Sequence, residues 1–244
     1  MTLVAVNGLG GLEHHWDRFR AALGPEVELR VLDLAGHGDR PPASDYGYDA
    51  LVADVLDRAG DLDRFPLTGW SVGGAVAWLI AARHPERVTR LVLLDPAAPH
   101  QSRFLDGPTP EPVHPYTFET VQEAARQLAA VDPGATEDDV RRGYRWNQEG
   151  RLEPRFDPAI FPALVEDARR RGDELRAELE RIVAPTLCVR GERSFLDPGR
   201  LAEIAAAVPD SRVASVHDAG HFMLREQPER VARLVREFLE QQVP

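Results

Sequence analysis

Lysine is missing altogether from these 244 residues, and all 29 basic side chains are arginine. That absence removes the phosphate-gripping lysine of a P-loop, a lysine Schiff base to pyridoxal phosphate, and a serine–lysine dyad. Cysteine is nearly missing too. A lone thiol, Cys188, leaves no intramolecular disulfide to form and suits a reducing cytoplasm. It lies in the apolar run Thr186 to Val189 and reads as a buried strand residue rather than a reactive group. No uninterrupted apolar run approaches the ~20 residues that span a bilayer, and Met1 to Val6 lacks the basic flank and length of a secretory signal. Neither an HExxH nor a paired CxxC occurs, so no dedicated metal site is expected. Gly8-Leu9-Gly10-Gly11 falls short of a dinucleotide fingerprint, because the third glycine position holds Glu13; no cofactor is expected. Positive charge is in the minority. With 40 acidic residues the formal net charge is −11, which argues against nucleic acid or an anionic membrane as partner and leaves a small molecule.

What is present is one substantial core, at 43% hydrophobic content. Strand-like runs at Leu3–Val6, Glu28–Leu32, Phe65–Thr68, Val88–Leu94, Thr186–Arg190 and Arg212–Val216 are short and largely apolar. Helical patterns at His14–Leu23, Tyr48–Ala59, Val72–Arg83, Pro198–Ala207 and Pro228–Gln241 fall between and after them. In the last, Val231, Leu234, Val235 and Phe238 share one face. This alternation predicts an α/β fold, a mostly parallel sheet of about six strands with helices on both faces. The rhythm breaks between Ala97 and Val183, where ten of the twenty prolines fall between Pro96 and Pro162. Helical patterns at Thr120–Ala130, Glu137–Asn147 and Pro162–Arg171, with Phe104, Tyr116, Phe118, Tyr144, Trp146, Phe156 and Phe161, give the stretch too much aromatic content for a disordered linker. The expected division is a core of 1–96 and 184–244 with a helical lid, 97–183, inserted between two strands. The charge-dense run Glu166–Arg181 reads as a solvated helix face.

Gly69-Trp70-Ser71-Val72-Gly73-Gly74 carries the chemistry. A serine between glycines, where a strand pattern turns into a helix pattern, fits a nucleophile elbow: the strained turn lifts the hydroxyl above the sheet edge at a helix N-terminus.

With three further motifs in order, Asn7-Gly8-Leu9-Gly10-Gly11, Asp33-Leu34-Ala35-Gly36-His37-Gly38 and Ala219-Gly220-His221-Phe222, nearly the whole chain resembles the α/β-hydrolase family. Its small lid-bearing carboxylesterases, thioesterases and lactonases are the most similar, with two leading strands absent here. The resemblance implies Ser71 as nucleophile and His221 as base, with the backbone N–H groups of Leu9 and Val72 as the oxyanion hole. Trp70, Tyr144, Trp146 and Phe222 are expected around the substrate. There are two departures. The oxyanion loop usually begins His-Gly, and here it begins Asn7-Gly8. The usual acid position, three residues past Gly191, holds Ser194. Asp95, closing the strand after the elbow helix, is the preferred acid, since some family members carry theirs there. Asp197 competes from the usual loop, although the Pro198 that follows suits it to helix capping. The other histidines (14, 15, 37, 84, 100, 114 and 217) are read as packing or surface residues.

The implied activity is a cytoplasmic serine hydrolase acting on an ester, thioester or lactone of a small apolar molecule. A lyase or cyclase using His221 for proton transfer, and a non-catalytic ligand sensor, are the rival readings on the same scaffold.

Overall fold

Alternate residues along each strand face opposite sides of a sheet, and both sides here are apolar, so helices must cover both. The computed structural model describes residues 1–101 and 117–241. The chain runs β1 (Thr2–Val6), a 3₁₀ turn (Glu13–Trp16), α1 (Asp17–Leu23), β2 (Glu28–Leu32), α2 (Tyr48–Arg58), β3 (Phe65–Trp70), α3 (Val72–Arg83) and β4 (Val88–Leu94). After an excursion from the sheet come β7 (Thr186–Gly191), α7 (Pro198–Ala207), β8 (Ser211–Val216), α8 (Met223–Glu226) and α9 (Pro228–Glu240). Six strands pair in parallel in the order β2-β1-β3-β4-β7-β8. On one face Leu3, Ala5, Val92, Leu94 and Val189 meet Phe19 and Leu23 of α1 and Val231, Val235 and Phe238 of α9. On the other, Val4, Val6, Leu67, Leu91 and Cys188 meet α2, α3 and α7. Every residue of α3 from Gly73 to Ala82 is buried, as a helix wedged between sheet and outer helices requires.

The excursion between β4 and β7 holds α4 (Val121–Ala129), α5 (Glu137–Gly143), an antiparallel hairpin of β5 (Tyr144–Trp146) and β6 (Leu152–Pro154), and α6 (Ile160–Ala177). The helix expected over Glu137–Asn147 therefore stops at Gly143. The Gly143 carbonyl accepts from Arg155 N–H instead, and the chain extends into the hairpin. The charge-dense stretch is not wholly solvated either. Asp167 is 3% exposed and Glu178 5% exposed; Glu178 accepts two hydrogen bonds from Arg83, at 2.7 and 2.6 Å. Phe104, His114 and Tyr116 lie outside the described residues. Among the described residues, no helix is long and apolar enough to cross a membrane.

Candidate active site

Ser71 sits at the end of β3 with φ 56° and ψ −121°, a conformation that L side chains rarely adopt and that persists only where its surroundings fix it. They do so through hydrogen bonds. Ser71 N–H donates to Leu94 O at 3.1 Å, and Ser71 O accepts from Gly74 N–H and Ala97 N–H at 2.9 and 2.8 Å. The glycines are needed for close approach rather than flexibility: a Cβ on Gly69 would fall 2.1 Å from Gly73 O, and one on Gly73 2.2 Å from Val6 O.

Trp70 and Leu94 are register partners on neighbouring strands, so the next residues, Ser71 and Asp95, emerge side by side at the carboxyl edge. Asp95 is 2% exposed, and its Oδ2 lies 2.5 Å from His221 Nδ1. A carboxylate can only accept, so Nδ1 carries the hydrogen and the lone pair of Nε2 is left to act as a base. The histidine loop is clamped on several sides. Trp70 Nε1 donates to His221 O at 2.9 Å, Gly220 N–H meets both Glu226 carboxylate oxygens at 3.0 and 3.1 Å, and Arg193 N–H donates to Ala219 O. The Trp70 and Phe222 rings flank His221, with centroids 5.2 and 5.4 Å away.

Asp197 is not brought to His221. It caps α7, accepting from Gly199 N–H at 3.0 Å. Ser194, at the expected acid position, instead donates its hydroxyl to Asp95 Oδ2 at 2.5 Å while accepting from Leu196 N–H at 3.1 Å.

The loop after β1 is built on Asn7, which is fully buried. Its Oδ1 accepts from Trp16 Nε1 and its Nδ2 donates to Asp33 Oδ1, each at 2.6 Å. His37, also fully buried, accepts the Gly10 N–H on Nε2 at 2.9 Å and donates from Nδ1 to Ala35 O at 3.1 Å. Burial holds His37 neutral, with its pKa lowered to about 4. Within this frame the N–H groups of Leu9 and Val72 meet no acceptor among the described residues. Gly8 lies close under the elbow, where a Cβ would come 2.9 Å from Ser71 Cβ.

A cavity of about 350 Å³ opens beside these two amides. Leu9, Val72, Ala98, Phe161, Leu164 and Phe195 give it apolar walls; Tyr48, Asp197 and Arg200 are its polar members. Phe195 reaches back over His221, with centroids 4.7 Å apart. Tyr144 and Trp146 are placed elsewhere: Tyr144 packs against Phe118 at 5.9 Å, and Trp146 is 57% exposed on the hairpin. Among the described residues, one grouping could share a metal ion, Glu192, His217 and Asp218, and all three are exposed.

A model of the alpha/beta hydrolase family matches residues 3–234. The chain belongs to the alpha/beta hydrolase family. Curated relatives include the pimeloyl-[acyl-carrier protein] methyl ester esterase of Aromatoleum aromaticum, 30% identical over 96% of this chain and 96% of that protein. Another is the biotin biosynthesis bifunctional protein BioHC of Teredinibacter turnerae, 29% identical over 99% of this chain; the chain spans 45% of that longer protein. Among solved structures, E-2-(acetamidomethylene)succinate hydrolase superposes with a TM-score of 0.82 at 23% identity, covering 98% of this chain and 91% of the other. The thioesterase domain from the curacin biosynthetic pathway gives 0.79 at 20% identity, covering 96% and 90%. These two likenesses speak to the fold.

Sequence reasoning singled out Ser71, Asp95 and His221 in this alpha/beta hydrolase but passed over His37, Asp33 and Trp16 as supports of the first loop, and Tyr48, Phe195 and Arg200 as cavity walls. One signal was legible: a buried asparagine in place of the usual histidine needs a partner for each end of its amide, and Trp16 and Asp33 supply them.

Proposed function

We propose that the protein is a serine hydrolase that cleaves small carboxylic esters or thioesters through an acyl-enzyme. The observation that carries this reading is the 2.5 Å contact of Asp95 with His221 at the same sheet edge as the strained Ser71 turn. Ser71 Oγ attacks the substrate carbonyl carbon while its proton passes to His221 Nε2. The carbonyl oxygen takes the negative charge and is met by the Leu9 and Val72 amides, which have no acceptor to give up among the described residues. His221 then returns the proton to the leaving alcohol or thiol. A water molecule, deprotonated by the same nitrogen, releases the acid and restores Ser71. Asp95 keeps the imidazole in the tautomer this cycle needs and stabilises its cationic form.

The excursion between β4 and β7 acts as a lid, since Phe161 and Leu164 of α6 wall the cavity beside the two amides. Relatives named as methyl ester esterases make esters of small alcohols the first substrates to try. A buried Cys188, with its pKa pushed up to about 12 by burial, and a chain with no second cysteine fit a cytoplasmic enzyme of small molecules. A fluorophosphonate probe is expected to label the wild-type protein at Ser71 and to leave Ser71→Ala unlabelled. Labelling of the variant would remove the nucleophile assignment. A mass increase equal to the acyl group during turnover separates this chemistry from proton-transfer lyase chemistry on the same residues.

A further inference from the structure

Two buried tyrosines lie two residues apart, and only one is satisfied. Tyr46 is 4% exposed; its hydroxyl donates to Asp157 Oδ2 at 2.6 Å and accepts from Ala43 N–H at 3.0 Å. That is the ordinary condition of a buried phenol. Tyr48 is 3% exposed, yet its hydroxyl makes no hydrogen bond among the described residues, nor is that oxygen sealed away from accessible space. Tyr48 lines the cavity together with Leu9 and Val72.

The residue is fixed where it stands. Its N–H donates to Asp167 Oδ2 of α6 at 2.9 Å, tying the start of α2 to the helix that supplies Phe161 and Leu164 to the same cavity. Burial, reinforced by the Asp167 carboxylate, pushes the phenol well above its ordinary pKa, so the hydroxyl stays neutral and keeps its hydrogen. Asp167 is paired with Arg170 at 3.2 Å, and the two charged residues of the cavity wall, Asp197 and Arg200, carry opposite signs, so the lining has no net cation that would call for an anion. Asp197, another polar wall residue, already accepts the Gly199 N–H.

We propose that Tyr48 is a specificity-determining residue whose hydroxyl donates a hydrogen bond to the substrate. The preferred substrate is then an ester whose cavity-bound portion carries a neutral oxygen acceptor, a carbonyl or ether, rather than a bare alkyl chain. This deepens the serine-hydrolase reading and rests on it.

The test uses wild type and Tyr48→Phe, which keeps the ring and its packing, on two matched pairs of esters. One pair places the change in the acyl portion, p-nitrophenyl hexanoate against p-nitrophenyl 5-oxohexanoate. The other places it in the alcohol portion, hexyl acetate against 5-oxohexyl acetate. Tyr48→Phe is expected to lose about tenfold in kcat/KM on the oxo ester of one pair and to stay within twofold on its alkyl partner, because an acceptor left unpaired in a closed site is costly. A parallel loss on both members of each pair, or no loss on either oxo ester, overturns the proposal. Adding an ω-carboxylate ester distinguishes the charge: turnover above the oxo ester would overturn the choice of a neutral acceptor. Binding of the four amide analogues to Ser71→Ala, with and without Tyr48→Phe, is followed by ligand-observed NMR. It probes the same hydrogen bond without chemistry, through a tenfold loss of affinity confined to one oxo amide. If wild type turns over none of the esters, the hydrolase reading falls while the binding comparison still decides Tyr48.

Discussion

Asp95 Oδ2 receives two hydrogens, one from His221 Nδ1 and one from the Ser194 hydroxyl, each at 2.5 Å. A carboxylate with 2% exposure would be costly to keep charged without such donors, and charge-assisted hydrogen bonds are the stronger kind. Ser194 thus occupies the position expected for the acid and donates from there to Asp95, the acid of the proposed cycle. Three variants separate the roles. Asp95→Asn is expected to lose at least ~10³ in kcat, since an amide can present its NH₂ to Nδ1 and favour the wrong tautomer. Asp197→Asn should lose less than about threefold, because an asparagine caps α7 nearly as well. Ser194→Ala removes one donor from Asp95 and should fall between, at about tenfold. Steady-state kinetics on one ester decides among them, and a large loss in Asp197→Asn alone would reverse the assignment.

At the scale of elements, the histidine loop and the excursion are held together by a buried cation. Arg225 of α8 is 9% exposed; it pairs with Asp132 after α4, itself 1% exposed, and lies 3.3 Å from Asp139 of α5. Its guanidinium also stands over the Phe222 ring at 5.6 Å. Burial lowers the arginine pKa to about 10, which still leaves it charged at neutral pH. Removing the cation leaves two carboxylates facing each other's field, one of them almost fully enclosed, and breaking such a pair typically costs about 3–5 kcal/mol. Arg225→Met is therefore expected to lower the free energy of unfolding, measured by urea titration, by roughly that amount and to move the midpoint down with it. The paired substitution Arg225→Met with Asp132→Leu should recover most of it, and an unchanged midpoint in the single variant would show the network to be idle.

Elements with a regular hydrophobic period were readable from the chain alone. The strand and helix patterns of the core reappear within a residue or two, because buried parallel strands and a buried helix leave nearly continuous apolar runs. The hairpin Tyr144–Pro154 was not readable: three-residue strands have no period, and what ends α5 is a pairing with Arg155, twelve residues on. The same holds for the site. Ser71 and His221 announce themselves through local glycine patterns, and Asp95 through strand adjacency. Tyr48 and Arg200 line the cavity only because α2, α6 and α7 converge there, which no local spacing encodes.

The molecule as a whole carries an acid-sensitive balance. Folding lowers the pKa of His14 and His37 from 6.5 to about 4, and that of His15 well below its ordinary value, in each case chiefly through burial. Between pH 6.5 and 4 the unfolded chain therefore binds protons that the folded chain refuses, so stability is intact above 6.5 and declines as pH falls through this window. For His37 alone the shift corresponds to about 3 kcal/mol. Asp33 works in the opposite sense. Burial raises its pKa from 3.8 to about 6, so the folded state holds that proton more tightly and gains stability on acidification through the same range. His100, also lowered chiefly by burial, acts in the same sense as the other histidines, and with four histidines against one aspartate the net expectation is a urea midpoint that drops between pH 7 and pH 4.5. His37→Gln should make the slope shallower whatever it does to the midpoint at pH 7. A profile flat to pH 4.5 would contradict this balance.

The excursion leaves from the end of β4 and returns at the start of β7, and those two strands are hydrogen-bonded neighbours, with Leu91 beside Thr186 and Leu94 beside Val189. Its ends emerge at opposite edges of one strand pair, and the pair stays joined whatever runs between them. Replacement segments of different length or shape can in principle be grafted across the same two anchor points while Ser71, Asp95 and His221 stay on the sheet beneath. The architecture separates a sheet that carries Ser71, Asp95 and His221 from an exchangeable hood, while the wall residues Leu9, Tyr48, Phe195 and Arg200 stay with the platform whichever hood covers it.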